Sequence, residues 1–287
     1  GNISPFIKTT KVKAQWIATV GPFVADTYEA LNAKEKCFNF INKIFILISG
    51  YTSNVVIHES IYSQQLFEGT YRFAPKKQFL IECGKDKFFT PFSGKIDSSN
   101  RISQITNNDL LYVSHMYPYK NVERLIEALY ILKKSDRFEN KLYIVGKIGD
   151  EQYVKNLEKL IDERHLKNDI IFTGLATKVE LRFAYSNCKL FVFPSLCESS
   201  GYTLIEAMSC GAAVLASDRT AIPFTCKEGA KYFDARSVED LAVKLQEILS
   251  DRIVLEQMEA NSLGRARKMI DYQTATGEFL RIVCSVT

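Results

Sequence analysis

Hydrophobic and polar positions follow two rhythms along this chain, and beyond about residue 109 the two take turns. Short runs of β-branched and aromatic residues predict strands over 110–114, 142–146, 170–173, 190–194 and 213–217, with a shorter one over 231–233. Stretches with apolar residues three and four apart predict helices between them, over 122–134, 150–164, 178–186 and 203–210. Strands separated by helices of this length build a parallel sheet with right-handed crossovers, which makes the fold class α/β. Residues 1–100 are less regular, with strands over 15–20, 54–58 and 78–81 and helices near 25–49 and 62–69, half of a second α/β lobe. The Ser-, Asn- and Gly-rich stretch 92–107 reads as a linker between the lobes. Helical patterns over 238–250, 253–270 and 272–284 close the chain, and no repeat of fixed period is present.

Composition narrows the class without naming a function. The 287 residues are 46% hydrophobic and 24% charged, which excludes disordered, collagen-like and disulfide-scaffold chains. The net charge of +4 is too small to argue for a nucleic-acid partner. It sits unevenly: residues 1–100 hold twelve Lys/Arg against eight Asp/Glu, and the remainder holds 25 of each. The early cluster Lys8, Lys11 and Lys13 fits either a peripheral contact with an anionic membrane or a solvated face. Seven scattered cysteines without a C-x-x-C pair, and three histidines, suggest reduced thiols and no metal site. With no signal-peptide pattern and only the short apolar run 44–48 near the start, a cytoplasmic location is expected. The chain opens Gly-Asn rather than with Met, so it reads as processed or as a piece of a longer protein.

Candidate chemistry concentrates in residues 191–218, FVFPSLCESSGYTLIEAMSCGAAVLASD: a buried strand, a loop, a helix and a second buried strand. In a doubly wound sheet ligands bind beyond the carboxyl ends of the strands, where this loop falls. A helix beginning at Thr203 would offer its first amides to an anion, and Gly201 would let a ligand approach the backbone. Glu198 on the loop and Glu206 on the helix flank that start. Such a pair can grip opposite ends of an elongated ligand with diol, diphosphate and hexose in sequence, a nucleoside diphosphate sugar. Thr203 and Glu206 also form T-x-x-E, so Glu206 alternatively caps its own helix.

The same segment resembles the E-x7-E region of the retaining, two-lobed (GT-B) nucleotide-sugar glycosyltransferases of group 1. There a P-S-x-x-E-x-x-G loop precedes a helix reading E-A-M-x-x-G and a strand end V-x-A-S-D. This chain supplies Pro194, Ser195, Glu198, Gly201, Glu206, Ala207, Met208, Gly211, Val214, Ala216, Ser217 and Asp218. LYVSHMYPYKN at 111–121, LYIVGKIGD and IIFTGLAT follow in the order the family expects.

The resemblance implies two Rossmann-like lobes: 1–105 a partial acceptor-side lobe, 106–270 the nucleotide-sugar lobe, and 271–287 a helix returning to the first. It implies Glu198 and Lys120 as catalytic residues, Lys120 neutralising the departing diphosphate. It implies substrate binding by Glu206, His115, Gly201, Tyr202 and Thr203, and by Gly174 and Leu175 near the base. His115 stands where the family usually has arginine, so diphosphate binding is expected to be weaker or pH-dependent. Ser200 and Phe224 replace a common aromatic and a frequent glutamate.

No D-x-D run occurs, and neither metal nor other cofactor is expected, with helix amides and Lys120 meeting the diphosphate. The family's opening strand, glycine-rich turn and first-lobe histidine are not matched; His58 is either that histidine or a core or surface residue, and Ser4 to Phe6 and Gly21 to Phe23 resemble mid-lobe material. The implied function is retaining hexose transfer from a uridine or guanosine diphosphate sugar to a saccharide or lipid-linked acceptor, in surface polysaccharide or glycolipid synthesis. The alternatives are a nucleotide-sugar-binding module without turnover and a phosphorylase of similar architecture. A dinucleotide oxidoreductase is disfavoured because no G-x-G-x-x-G follows a strand.

Overall fold

The computed structural model describes residues 14–29, 31, 33–70, 77–97, 100–135 and 139–285. Lys8, Lys11, Lys13 and Ser4 to Phe6 lie outside the described residues. The first part of the chain runs β1 (Ala14–Ile17), α1 (Ala25–Glu29), α2 (Ala33–Thr52), β2 (Val55–His58), α3 (Ile61–Thr70) and β3 (Gln78–Leu80). These strands form a parallel sheet in the order β1-β2-β3. The single helix expected over 25–49 is two helices.

The second sheet is built from β4 (Leu110–Val113), α4 (Val122–Lys134), β5 (Leu142–Val145), α5 (Glu151–Glu163), β6 (Ile170–Gly174), α6 (Lys178–Asn187), β7 (Leu190–Phe193), α7 (Tyr202–Ser209), β8 (Val214–Ser217), α8 (Ile222–Cys226) and β9 (Lys231–Phe233). All pairs are parallel, in the order β6-β5-β4-β7-β8-β9. Side chains alternate between faces: Leu110, Tyr112, Leu142, Ile144, Leu190 and Val192 pack on one side, Leu111, Val113, Tyr143, Val145, Phe191 and Phe193 on the other. Both faces are covered, which is why these strands read as unbroken apolar runs. The strand order reverses between β4 and β7, opening a crevice at their carboxyl ends.

Stretch 92–107 runs between the two sheets and is anchored to the second. A 3-10 turn, Arg101–Gln104, is capped by the Asn100 side chain, and Ile102 and Ile105 sit buried against the second sheet. Two apolar residues three apart outweigh the polar composition around them.

Three helices close the fold: α9 (Val238–Leu249), α10 (Arg252–Lys268) and α11 (Tyr272–Ser285). α11 crosses back to the first sheet, where Phe279 meets Trp16 with ring centroids 5.4 Å apart. At the crossing Lys85 and Asp271 form a β-bridge, and a Cβ on Gly84 would lie 2.6 Å from the Asp271 carbonyl carbon. Among the described residues no helix is long and apolar enough to cross a membrane.

Candidate active site

Two loops emerge at the reversal. The first follows β4 through Ser114 and His115 into a 3-10 turn, Pro118–Lys120, and ends at Asn121. Asn121 has φ 63, a left-handed conformation that asparagine tolerates. Its buried amide donates to Pro194 O at 2.9 Å and Ala235 O at 3.0 Å, tying this loop to the one after β7. Leu196 N–H adds a bond to Tyr119 O at 2.8 Å.

Those ties bring two distant candidates together. Lys120 Nζ lies 2.6 Å from Glu198 Oε1, with the side chains only 11% and 14% exposed. The ammonium also sits 5.1 Å from the Tyr119 ring centroid and 5.7 Å from that of Phe193. Burial pulls the Lys120 ammonium down, but Glu198 and Tyr119 outweigh it and hold it above its ordinary value. Glu198 is fixed in turn by its own N–H, which donates to Thr220 Oγ1 at 2.9 Å.

The second loop ends at Gly201, whose φ of 78 caps α7 without a side-chain hydrogen bond. α7 therefore starts at Tyr202, one residue earlier than the sequence suggests, and Thr203 lies inside the helix. The capping box between Thr203 and Glu206 does not form. Glu206 instead accepts from the Tyr185 hydroxyl at 3.1 Å. Burial pushes its carboxyl up to about 7, against smaller lowering by Tyr185. The amides of Tyr202 and Thr203 have no carbonyl partner among the described residues and stand free for an anion.

One cavity of about 530 Å³ gathers His115, Lys120, Leu175, Glu198, Gly201, Tyr202, Thr203 and Glu206 on its wall. Gly174 is the exception. It ends β6 with φ 76 and accepts from Gly146 N–H at 2.9 Å, so it turns Leu175 toward the cavity without lining it. A second cavity of about 540 Å³ lies between the first sheet's elements and the same loops, and shares Tyr119, Glu198 and Ser199. His58 lines neither: it is buried on β2, its Nε2 is 2.9 Å from Gln78 Oε1, and burial lowers it.

Several contributors carried no sequence signal. Tyr185 and Thr220 act through partners distant in the chain. So does Glu59 after β2, which accepts from the Trp16 indole at 2.5 Å and from the Ser200 hydroxyl at 3.3 Å. No group of three or more His, Cys, Asp or Glu side chains poised for a metal occurs among the described residues.

Two parallel α/β halves facing one crevice, with the start of α7 on its wall, make this a GT-B fold of the kind glycosyltransferases use. The chain belongs to the family Glycosyl transferases group 1, whose model matches residues 96–265. A curated relative, the serotype-specific mannosyltransferase WbdA of Escherichia coli, is 31% identical over 166 residues, 58% of this chain and 20% of that protein. The chain thus spans about a fifth of that relative's length. Among solved structures, sucrose-phosphate synthase of Thermosynechococcus elongatus superposes with a TM-score of 0.79 at 22% identity, over 96% of this chain and 68% of that one. HepE of Anabaena, in complex with UDP and glucose, gives 0.74 at 20% identity, over 92% and 70%.

Proposed function

We propose that the chain carries out retaining hexose transfer from a nucleoside diphosphate sugar to a saccharide or lipid-linked acceptor, in surface polysaccharide or glycolipid synthesis. The observation that carries this reading is the single cavity in which Lys120, Glu198 and Glu206 surround the start of α7. In it Glu206 receives the ribose hydroxyls, the amides of Tyr202 and Thr203 with His115 receive the diphosphate, and Leu175 meets the base. Glu198 holds the sugar hydroxyls. Lys120 offsets the charge that grows on the departing diphosphate. The acceptor enters through the adjoining cavity, which meets the donor cavity at Glu198, and its hydroxyl attacks from the face the diphosphate leaves. That route requires no covalent carboxylate intermediate.

The family of the chain, the mannosyltransferase name of WbdA and the UDP and glucose bound by HepE support a hexose donor. The lobe boundaries near 105 and 270 belong to the same proposal, as does work on cytoplasmic donor beside a membrane-borne acceptor.

The test is calorimetric titration and donor-consumption assay of the chain with UDP-glucose and GDP-mannose. Glu206→Ala and Lys120→Ala are expected to weaken donor binding at least tenfold, and unchanged affinity in both refutes the assignment. Binding without consumption of either donor would replace the transferase by a binding module.

A further inference from the structure

The cavity beside the donor site carries a polar stripe that the fold itself does not use. It measures about 540 Å³, and α2 forms one of its walls. Glu35, Asn39 and Asn42 recur at helical spacing, so they share one face of α2, and all three line the cavity. The opposite face, with Phe40, Ile41, Ile44 and Ile48, is apolar and exposed. The usual amphipathic order is inverted, and solvation of the helix does not explain why its polar groups turn inward.

Three of the polar groups on this wall lack protein partners. The side-chain amides of Asn39 and Asn42 make no hydrogen bond among the described residues. Thr27 on α1 is 5% exposed and lines the same cavity, and its hydroxyl has no partner either. A buried hydroxyl left unpaired is destabilising, and a ligand group that pairs with it removes the penalty.

Charge narrows the ligand further. The charged side chains on this wall are Glu35 and Glu198, with no lysine, arginine or histidine among the described residues. Lys120, which holds Glu198 at 2.6 Å, belongs to the donor cavity. An anionic group entering here would meet like charge and no cation to answer it. Tyr117 and Tyr119, stacked with ring centroids 5.8 Å apart, add aromatic surface beside the polar groups. Amides, a carboxyl and a hydroxyl converging beside aromatic rings suit an uncharged ring rich in hydroxyls.

We propose that this cavity seats the terminal unit of an uncharged saccharide, whose hydroxyls pair with Glu35, Asn39, Asn42 and Thr27, and that it rejects sugars carrying a carboxylate or phosphate on that unit. This rests on reading the neighbouring cavity as the donor site, and it specifies the chemistry of the acceptor. The two cavities meet at Glu198, so a ring seated here presents a hydroxyl toward the donor sugar.

The experiment is ligand-observed NMR titration of the chain, saturated with UDP or with GDP, against methyl α-mannoside, methyl β-glucoside, methyl β-glucuronide and mannose 6-phosphate. At least one neutral glycoside is expected to bind about tenfold more tightly than the glucuronide and the phosphate. Asn39→Ala and Asn42→Ala should each weaken that glycoside about five- to tenfold and leave UDP-glucose affinity unchanged. Thr27→Val should weaken it too, with a melting temperature no lower than that of the wild type, because the variant deletes an unpaired hydroxyl. Glu35→Gln should bring the glucuronide closer to the glucoside. Equal binding of neutral and anionic sugars overturns the proposal. So does binding of none of the four while UDP or GDP binds, or a sugar affinity indifferent to Asn39, Asn42 and Thr27. Failure to bind UDP, GDP and UDP-glucose overturns instead the donor reading beneath it.

Discussion

Lys120 and Glu198 stand 78 residues apart in sequence, yet their charged atoms are 2.6 Å apart and almost wholly shielded from water. A pair so buried is costly to break from one side, because the remaining charge keeps its desolvation penalty and loses its partner. Lys120→Met is expected to lower unfolding free energy by about 3 kcal/mol. Lys120→Met with Glu198→Leu should recover most of it, and neither variant should turn over donor. Urea denaturation decides: a double variant no more stable than the single would show that the pair is not the cause.

Glu206 offers a test through pH. Its carboxyl stands at about 7 in the folded chain against an ordinary 4.5, so the folded state keeps a proton that the unfolded chain releases in that interval. Stability from this group is whole below about pH 4.5 and declines as pH rises through 7. Glu206→Gln should be about 2 kcal/mol more stable than wild type at pH 8 and nearly equal at pH 4.5. Parallel stability-pH curves for the two proteins would remove the burial argument.

Gly146 and Gly174 both have positive φ but differ in surroundings. A Cβ on Gly146, at φ 147, meets the Ser114 carbonyl oxygen at 1.9 Å, whereas one on Gly174, at φ 76, meets nothing within 4 Å. Gly146→Ala should cost about 3 kcal/mol and displace His115, and Gly174→Ala about 1 kcal/mol. Thermal melts of the two alanine variants give the comparison, and equal losses would contradict it.

Glu59 joins the chain's single tryptophan, Trp16, to Ser200 on the loop of Glu198 and Gly201. Glu59→Ala strips a buried hydroxyl and a partly buried indole of their acceptor, a loss of about 2 kcal/mol. It should shift Trp16 emission and raise the donor KM several-fold, while Glu59→Gln preserves most of both. Tryptophan fluorescence unchanged in Glu59→Ala would show that the contact does not hold the indole.

The α/β alternation beyond residue 109 was legible because the four central strands of the second sheet, β4, β5, β7 and β8, are buried on both faces and so carry unbroken apolar runs. Side-chain geometry was not. T-x-x-E occurs at both Thr177–Glu180 and Thr203–Glu206, and only the first forms a capping box. Thr177 is extended and stands outside its helix, while Gly201 adopts a left-handed φ that starts α7 before Thr203 is reached. Spacing alone cannot register that difference. Nor could it reveal the partnership of Lys120 with Glu198, of Glu206 with Tyr185, or of Glu59 with Trp16, since each depends on loops brought together by the sheets. Within the polar stretch 92–107 the spacing also gave no sign that Ile102 and Ile105 would anchor it against the second sheet.

Gly84 has a mechanical meaning. The chain passes between the two sheets twice, and the passages lie edge to edge where Lys85 bridges Asp271. Lys87 also pairs with Asp271 at 2.9 Å, and Lys85 Nζ donates to Ala266 O at 2.6 Å. A bulkier side chain at Gly84 would wedge this seam apart without touching the wall of either large cavity. The position is thus a lever on the alignment of the two halves, set apart in the chain from Lys120 and Glu198 and reaching the donor cavity through the packing of Tyr272 on Tyr202.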